Sequence, residues 1–254
     1  MTIAVDQPRG LSELGQIVRR LADRRPESPP FIVAVTGSVA AGKSTFAAAL
    51  AGALDSSAGD SGAGDGGVEL VGTDGFLLSN AVLDARGLTL RKGFPESFDA
   101  EALGAALARA RRGPVTFPGY SHVVYDVDDS LARRIDRPGT LIVEGLGLGP
   151  HRASLDALIY LDADEASLEA WYVTRFMALW TVAEHDPHSF YARFRGMDRT
   201  TATTFARSVW AGINLPNLRE HIIQQRDLAD IVVRKGPDHE IIEILEGHGQ
   251  AGRV

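Results

Sequence analysis

The residues with the plainest chemical potential are Gly37-Ser38-Val39-Ala40-Ala41-Gly42-Lys43-Ser44-Thr45. They form a G-x-x-x-x-G-K-S run between an apolar stretch and a helix-prone one. Each residue type answers a need of phosphate binding. The two glycines let the chain curl so that backbone N–H groups point inward at an anion. A helix opening at that point adds the positive end of its dipole. Lys43 can reach the β- and γ-phosphates, and the Ser44 hydroxyl can ligate Mg2+. By itself the run implies a bound nucleoside triphosphate; it does not separate a kinase from a GTPase, a motor or a regulatory ATPase.

Two carboxylates complement it. Glu144 ends the apolar run LIVEG (141–145), and Asp74 follows VELVGT (68–73). An acid at either point belongs to the carboxyl edge of an α/β sheet, where ligands of open sheets bind. Glu144 can hold Mg2+ directly or through water. Asp74, if it faces a γ-phosphate, can orient an alcohol and accept its proton. The competing reading of Gly72-Thr73-Asp74-Gly75 is a plain turn, because Asp and Gly are turn residues.

These groups need a scaffold, and the pattern of the chain supplies one. FIVAVT (31–36), VELVGT (68–73), GTLIVEG (139–145) and ALIYLDA (157–163) are short apolar runs of the kind buried in parallel sheets. DIVVRK (230–235) and EIIEILE (240–246) read as closing strands, joined as a hairpin through Gly236-Pro237. Helical spacing marks 11–25, 46–54, 101–113, 166–180 and 201–213. The alternation predicts an α/β fold of three layers, the P-loop NTPase arrangement, with a mainly parallel sheet and helices on both faces. Residues 1–30 read as a helix and lead-in, 31–246 as a single domain, and 247–254 as a tail. The glycine-rich stretch 55–67 reads as a flexible surface loop.

Bulk composition narrows the function classes. The 254 residues are 44% hydrophobic and 23% charged, with formal net charge −7 and no cysteine. The negative balance argues against binding nucleic acid over a broad surface. Without cysteine there is neither a disulfide framework nor a thiolate metal site. The opening residues lack a signal-peptide pattern, and no apolar run is long enough to span a bilayer, so a soluble cytoplasmic protein with no membrane partner is expected. Two further signals are set aside. His185-Asp186-Pro187-His188 contains a proline and reads as a loop, not a metal site, and His239-Glu240-Ile241-Ile242-Glu243 lacks the second histidine of a zinc protease.

Several longer blocks are more specific than the phosphate loop. GSVAAGKST (37–45), DGFLLSNAVLDARGL (74–88), RKGFPESFD (91–99), YSHVVYDV (120–127), LIVEG, WYVTRF (171–176) and INLPNL (213–218) follow one another in the order found in type I, bacterial-type pantothenate kinases. The chain resembles that family over roughly 31–246, within a larger group of P-loop kinases that includes uridine kinases and phosphoribulokinases. The resemblance implies transfer of phosphate from ATP, with Mg2+, to the primary hydroxyl of pantothenate. It implies Asp74 as base, Lys43 and Arg175 at the transferring group, and Ser44 and Glu144 at the metal. It also implies Tyr120, His122, Tyr172, Arg175 and Asn214 around pantothenate, Lys235 and His239 beside adenine, and a homodimer. The sequence departs from the family in a shorter N-terminal region, a shorter segment after LIVEG, and Gly147 where an asparagine is usual. The positions matching the family's coenzyme A feedback residues are Ala48 and Leu179, which implies weak inhibition by coenzyme A.

Overall fold

A computed structural model describes residues 13–58, 66–183, 185–247 and 249. In chain order the elements begin with α1 (Glu13–Ala22), β1 (Phe31–Gly37), α2 (Lys43–Ala58) and β2 (Val68–Gly72). Next come α3 (Asn80–Ala85), α4 (Ala100–Ala110), β3 (Val115–Phe117), β4 (Tyr120–Ser121), β5 (Asp126–Val127) and β6 (Arg133–Ile135). The chain continues through β7 (Thr140–Glu144), β8 (Ala157–Asp162), α5 (Glu165–Val182) and α6 (Arg199–Val209), and closes with β9 (Ile231–Lys235) and β10 (Ile241–Glu246).

Six strands form one sheet in the order β10-β9-β8-β1-β7-β2. All pairings are parallel except β9 with β10, which is the hairpin expected through Gly236-Pro237. Burial explains the composition of the central strands. Every residue of β1 is buried, and so are Thr140 to Val143 of β7 and Ala157 to Leu161 of β8. Strands covered on both faces carry continuous apolar runs rather than alternating ones. α2 packs on β1, β7 and β2, while the helical turn Gln224–Leu228 packs on β8 and β1. The α/β three-layer expectation holds. A second, smaller core joins α5 to α6, where Phe176, Met177, Trp180, Ala202 and Ala206 are buried together.

Register places the chemistry. Glu144 lies opposite Val35 of β1 and Gly72 of β2, so the phosphate loop, Glu144 and Asp74 leave three adjacent strands at one sheet edge.

Some bounds move. α2 starts at Lys43 and runs to Ala58, so residues 55–58 of the expected flexible loop are helical. Ser56 Oγ donates to the Gly52 carbonyl at 2.8 Å, a bond compatible with the helix that its serines and glycines obscured in the sequence. Residues 59–65 of that stretch, Leu11 of the first helix and most of 247–254 lie outside the described residues. The helix expected over 201–213 begins at Arg199 and widens into a π-turn at Trp210–Asn214. After Leu215–Asn217 a second π-turn follows at Leu218–Ile222. No described helix is long and apolar enough to cross a membrane.

Candidate active site

The phosphate loop is held by backbone. β1 ends in Gly37 at φ 142°, where an added Cβ would meet the Leu161 carbonyl of β8 at 2.6 Å. Ala40 and Gly42 also take positive φ, 63° and 81°, which curls the loop into α2. Val39 packs against the core, Thr45 is exposed, and the buried Ser38 hydroxyl has no protein partner. Lys43 Nζ donates to the Ser38 carbonyl at 2.9 Å. Burial holds the Lys43 ammonium below the usual lysine range; Glu144 and Asp74 oppose that shift and Arg175 adds to it.

A second cation braces the loop from β9. Lys235 Nζ, 7% exposed, donates to the Ala41 carbonyl at 2.9 Å and stands 3.2 Å from His239 Nδ1. The His239 ring stacks on Trp171 at 3.8 Å and 20°, and Trp171 Nε1 donates to the Pro237 carbonyl at 2.8 Å. Burial pushes both Lys235 and His239 toward their neutral forms. Lys235 and His239, implied by the family resemblance, thus meet beside the phosphate loop, where Trp171 joins them.

At the strand ends, Ser44 Oγ donates to Glu144 Oε1 at 2.9 Å. Burial raises the Glu144 pKa, with Lys43 and the Ser44 hydrogen bond pulling the other way. A serine hydroxyl and a carboxylate are hard oxygen donors, and a half-buried carboxylate that ionises reluctantly gains from a cation, so the pair fits Mg2+. Asp74 begins a tight turn, Asp74–Phe76, anchored by the Thr73 N–H donating to the Glu144 carbonyl at 2.9 Å. His122 Nε2 approaches Asp74 Oδ2 to 3.8 Å. A cavity of about 240 Å3 opens here between Asp74, Tyr120, His122, Arg133 and Glu144.

The opposite wall comes from side chains. β4 and β5 form a two-stranded ribbon that carries Tyr120, His122 and Tyr125. Tyr120 meets His122 edge-on at 5.0 Å and Tyr125 at 6.0 Å. Lys92 Nζ donates to Asn80 Oδ1 and to the Tyr125 carbonyl, each at 2.6 Å, and lies 4.6 Å from the Tyr125 ring. Burial holds Lys92 below its ordinary range, while Asp126 and Asp74 oppose that. On α5, the Tyr172 pKa is pushed up to about 12 by burial, and Asn214 from the π-turn opposes that shift. Arg175, one turn on, is exposed, and its charge bears on Lys43, Tyr125, Tyr172 and Tyr191. It makes no hydrogen bond or ion pair with any described residue.

Among the expected residues, Lys235 and His239 lie on the β9 side of the loop, Asp74, Tyr120, His122 and Glu144 line one cavity, and Tyr172, Arg175 and Asn214 come from α5 and the π-turn. Sequence reasoning did not single out Lys92, Tyr125, Trp171 or Tyr191. The first three stand inside the blocks RKGFPESFD, YSHVVYDV and WYVTRF, so the blocks signalled the neighbourhood without the side chains. Nothing in the sequence pointed to Tyr191.

No protein-family model matches the chain. It is 42% identical over 241 residues to a pantothenate kinase of Sorangium cellulosum, covering 89% of this chain and 77% of that one. With a pantothenate kinase of Streptococcus pyogenes it shares 39% over 224 residues, covering 85% and 72%. Among solved structures, a fructose transport system kinase assigned in Silicibacter aligns with TM-score 0.66 at 26% identity, over 83% of this chain and 93% of the other. YFH7 from Saccharomyces cerevisiae, described as a P-loop containing kinase with a circular permutation, shares the fold at TM-score 0.62 and 16% identity, over 87% and 97%.

Proposed function

The chain belongs to the pantothenate kinase family, and from that premise we propose that it transfers the γ-phosphoryl group of ATP to the primary hydroxyl of pantothenate, the first step of coenzyme A biosynthesis. One observation carries the site-level reading. Asp74 follows β2 at the sheet edge shared with Glu144 and the phosphate loop, and it lines the same cavity as Tyr120 and His122. A carboxylate between the phosphate loop and the wall bearing those two residues suits a base that serves donor and acceptor together.

The chemistry divides among the residues. The hydroxyl oxygen of pantothenate attacks the γ-phosphorus, its proton passes to Asp74, and the bond to the β-phosphate oxygen breaks to release ADP. The loop N–H groups and Lys43 hold the phosphates, and Arg175 meets charge on the transferring group. Ser44 and Glu144 would hold Mg2+, which would supply neutralisation of phosphate charge. Lys235 and His239 line the adenine side. Pantothenate has a carboxylate, an amide and hydroxyls but no aromatic ring. Tyr120, His122, Tyr172 and Asn214 offer hydrogen bonds to such a ligand, and Lys92 adds a cation to the same wall. The family resemblance also supports a cytoplasmic homodimer; the net charge of −7 supports the absence of a nucleic-acid partner.

ADP release measured with and without pantothenate, and with a panel of nucleosides and sugars, tests the reading. Release that depends on pantothenate is expected. Release only with another alcohol would keep the kinase and replace the substrate. No release with any acceptor would leave a nucleotide sensor.

A further inference from the structure

Lys92 is followed in the chain by Gly93, whose backbone is held by two buried side chains. Gly93 takes φ 93°, a region that side-chain-bearing residues avoid. Its N–H donates to Ser97 Oγ at 2.9 Å, and its carbonyl accepts from Asn217 Nδ2 at 2.8 Å. Both polar groups of this peptide position are therefore bonded to side chains instead of to secondary structure. Ser97 is fully buried, and its hydroxyl in turn donates to the Phe94 carbonyl at 2.7 Å. Asn217 is 6% exposed.

Asn217 is an expensive choice for packing alone. Its Oδ1 is buried with no protein partner, so the residue leaves one acceptor unsatisfied while its amide N–H meets Gly93. An apolar residue of similar size would remove that cost but lose the bond. Asn217 also sits between the two π-turns, Trp210–Asn214 and Leu218–Ile222, in the helix that presents Asn214 to Tyr172. π-turns re-aim side chains and concentrate at functional sites.

We propose that Ser97 and Asn217 are positioning residues that clamp Gly93 and thereby aim the Lys92 ammonium at the acceptor wall, tying it to the helix that carries Asn214. The proposal rests on the kinase reading above and gives that site a supporting shell. The clamp acts through Lys92, so its effect requires the lysine. Sites whose supporting shell loosens lose rate even when every contacting group remains.

The test is a double-mutant cycle of Asn217→Ala with Lys92→Ala, followed by single-turnover phosphorylation. In the parent, Asn217→Ala is expected to lower turnover on the order of tenfold or more while the ATP KM stays near its parent value. In the Lys92→Ala background the same change is expected to lower turnover no further. An equal loss in both backgrounds, or no loss in the parent, overturns the proposal. Ser97→Ala serves as the second variant should Asn217→Ala fold poorly. A readout free of turnover accompanies the cycle: the rate at which an acylating reagent labels Lys92, read by peptide mass. Faster labelling in Asn217→Ala than in the parent supports the clamp, and an unchanged rate overturns it. If the parent phosphorylates a different alcohol, the substrate reading falls while the cycle, run with that alcohol, still judges the clamp.

Discussion

At the end of the cleft proposed for the nucleotide, much of the holding is done by main chain. Gly37 lies against the Leu161 carbonyl, and Lys43 and Lys235 each donate to a carbonyl of the loop itself. At the end proposed for the acceptor the groups arrive as side chains from separate segments: Asp74 after β2, Lys92 after α3, Tyr120 and His122 on the β4–β5 ribbon, Arg175 on α5 and Asn214 in a π-turn. Their mutual contacts are looser, as in the 3.8 Å approach of His122 to Asp74. Triphosphate is common to every substrate pair of such a kinase, so a rigid cradle suits it. The acceptor is what differs, and side chains are what can differ with it. Looser contacts before substrate binds are also usual for catalytic groups that tighten around a reactant.

The sharpest way to separate the two ends is Asp74→Asn. Turnover is expected to fall by about a hundredfold or more, the range for losing a general base, while ATP affinity measured by calorimetry stays near the parent. Near-normal turnover would return Asp74 to a turn residue. Gly37→Ala attacks the other end. A Cβ there, 2.6 Å from the Leu161 oxygen and at φ 142°, is expected to destabilise the fold by about 1–3 kcal/mol and to abolish stabilisation by ATP in thermal melts. Lys235→Met is milder. Losing the bond to the Ala41 carbonyl is expected to weaken ATP binding by roughly tenfold and leave pantothenate KM unchanged. A change in pantothenate KM would mean that the two ends are not independent.

The pH dependence should be smaller still and two-sided. Burial raises the Glu144 pKa, so its carboxylate is lost at a higher pH than an ordinary glutamate as the solution is acidified. Lys43 and Lys92 are shifted down, so their charges are lost at a lower pH than ordinary lysines as it is made alkaline. The turnover profile should therefore narrow from both sides, and Glu144→Gln should remove the acid limb along with Mg2+ dependence. For stability the sign is opposite to that of a paired carboxylate. The folded chain binds the Glu144 proton more tightly than the unfolded chain does, so stability falls as pH rises from the ordinary glutamate value through the raised one. Glu144→Gln should accordingly raise the melting temperature at neutral pH. The weakest expected effect is inhibition by coenzyme A, given Ala48 and Leu179 at the positions noted above. Submicromolar inhibition competitive with ATP would contradict that.

The donor end was more legible in the sequence than the acceptor end, and the reason is locality. The phosphate loop is nine consecutive residues whose geometry follows from their own φ preferences, so Gly37 to Thr45 could be read as a unit. The sheet was legible for a similar reason, since β1, β7 and β8 are short apolar runs in a length range that helices rarely use. Lys92 was not legible. Its hydrogen-bond partners Asn80 and Tyr125 are 12 and 33 positions away, and it sits beside a ribbon of two-residue strands too short to leave a periodic signal. The π-turns were hidden too, because one extra residue in a turn leaves the helical spacing almost intact.

The sequence by itself determined a nucleotide-binding α/β fold, the strand ends that bear Glu144 and Asp74, and a family whose blocks run in order. Local backbone preference and continuous apolar runs are properties of neighbouring residues, and they survive in one dimension. Only the tertiary structure decided that Lys235 braces the loop at Ala41, that Lys92 donates to Asn80 and the Tyr125 carbonyl, and that Asn217 takes hold of Gly93 across 124 positions. Those contacts exist because the packed sheet and helices exclude water from polar groups, which must then find one another.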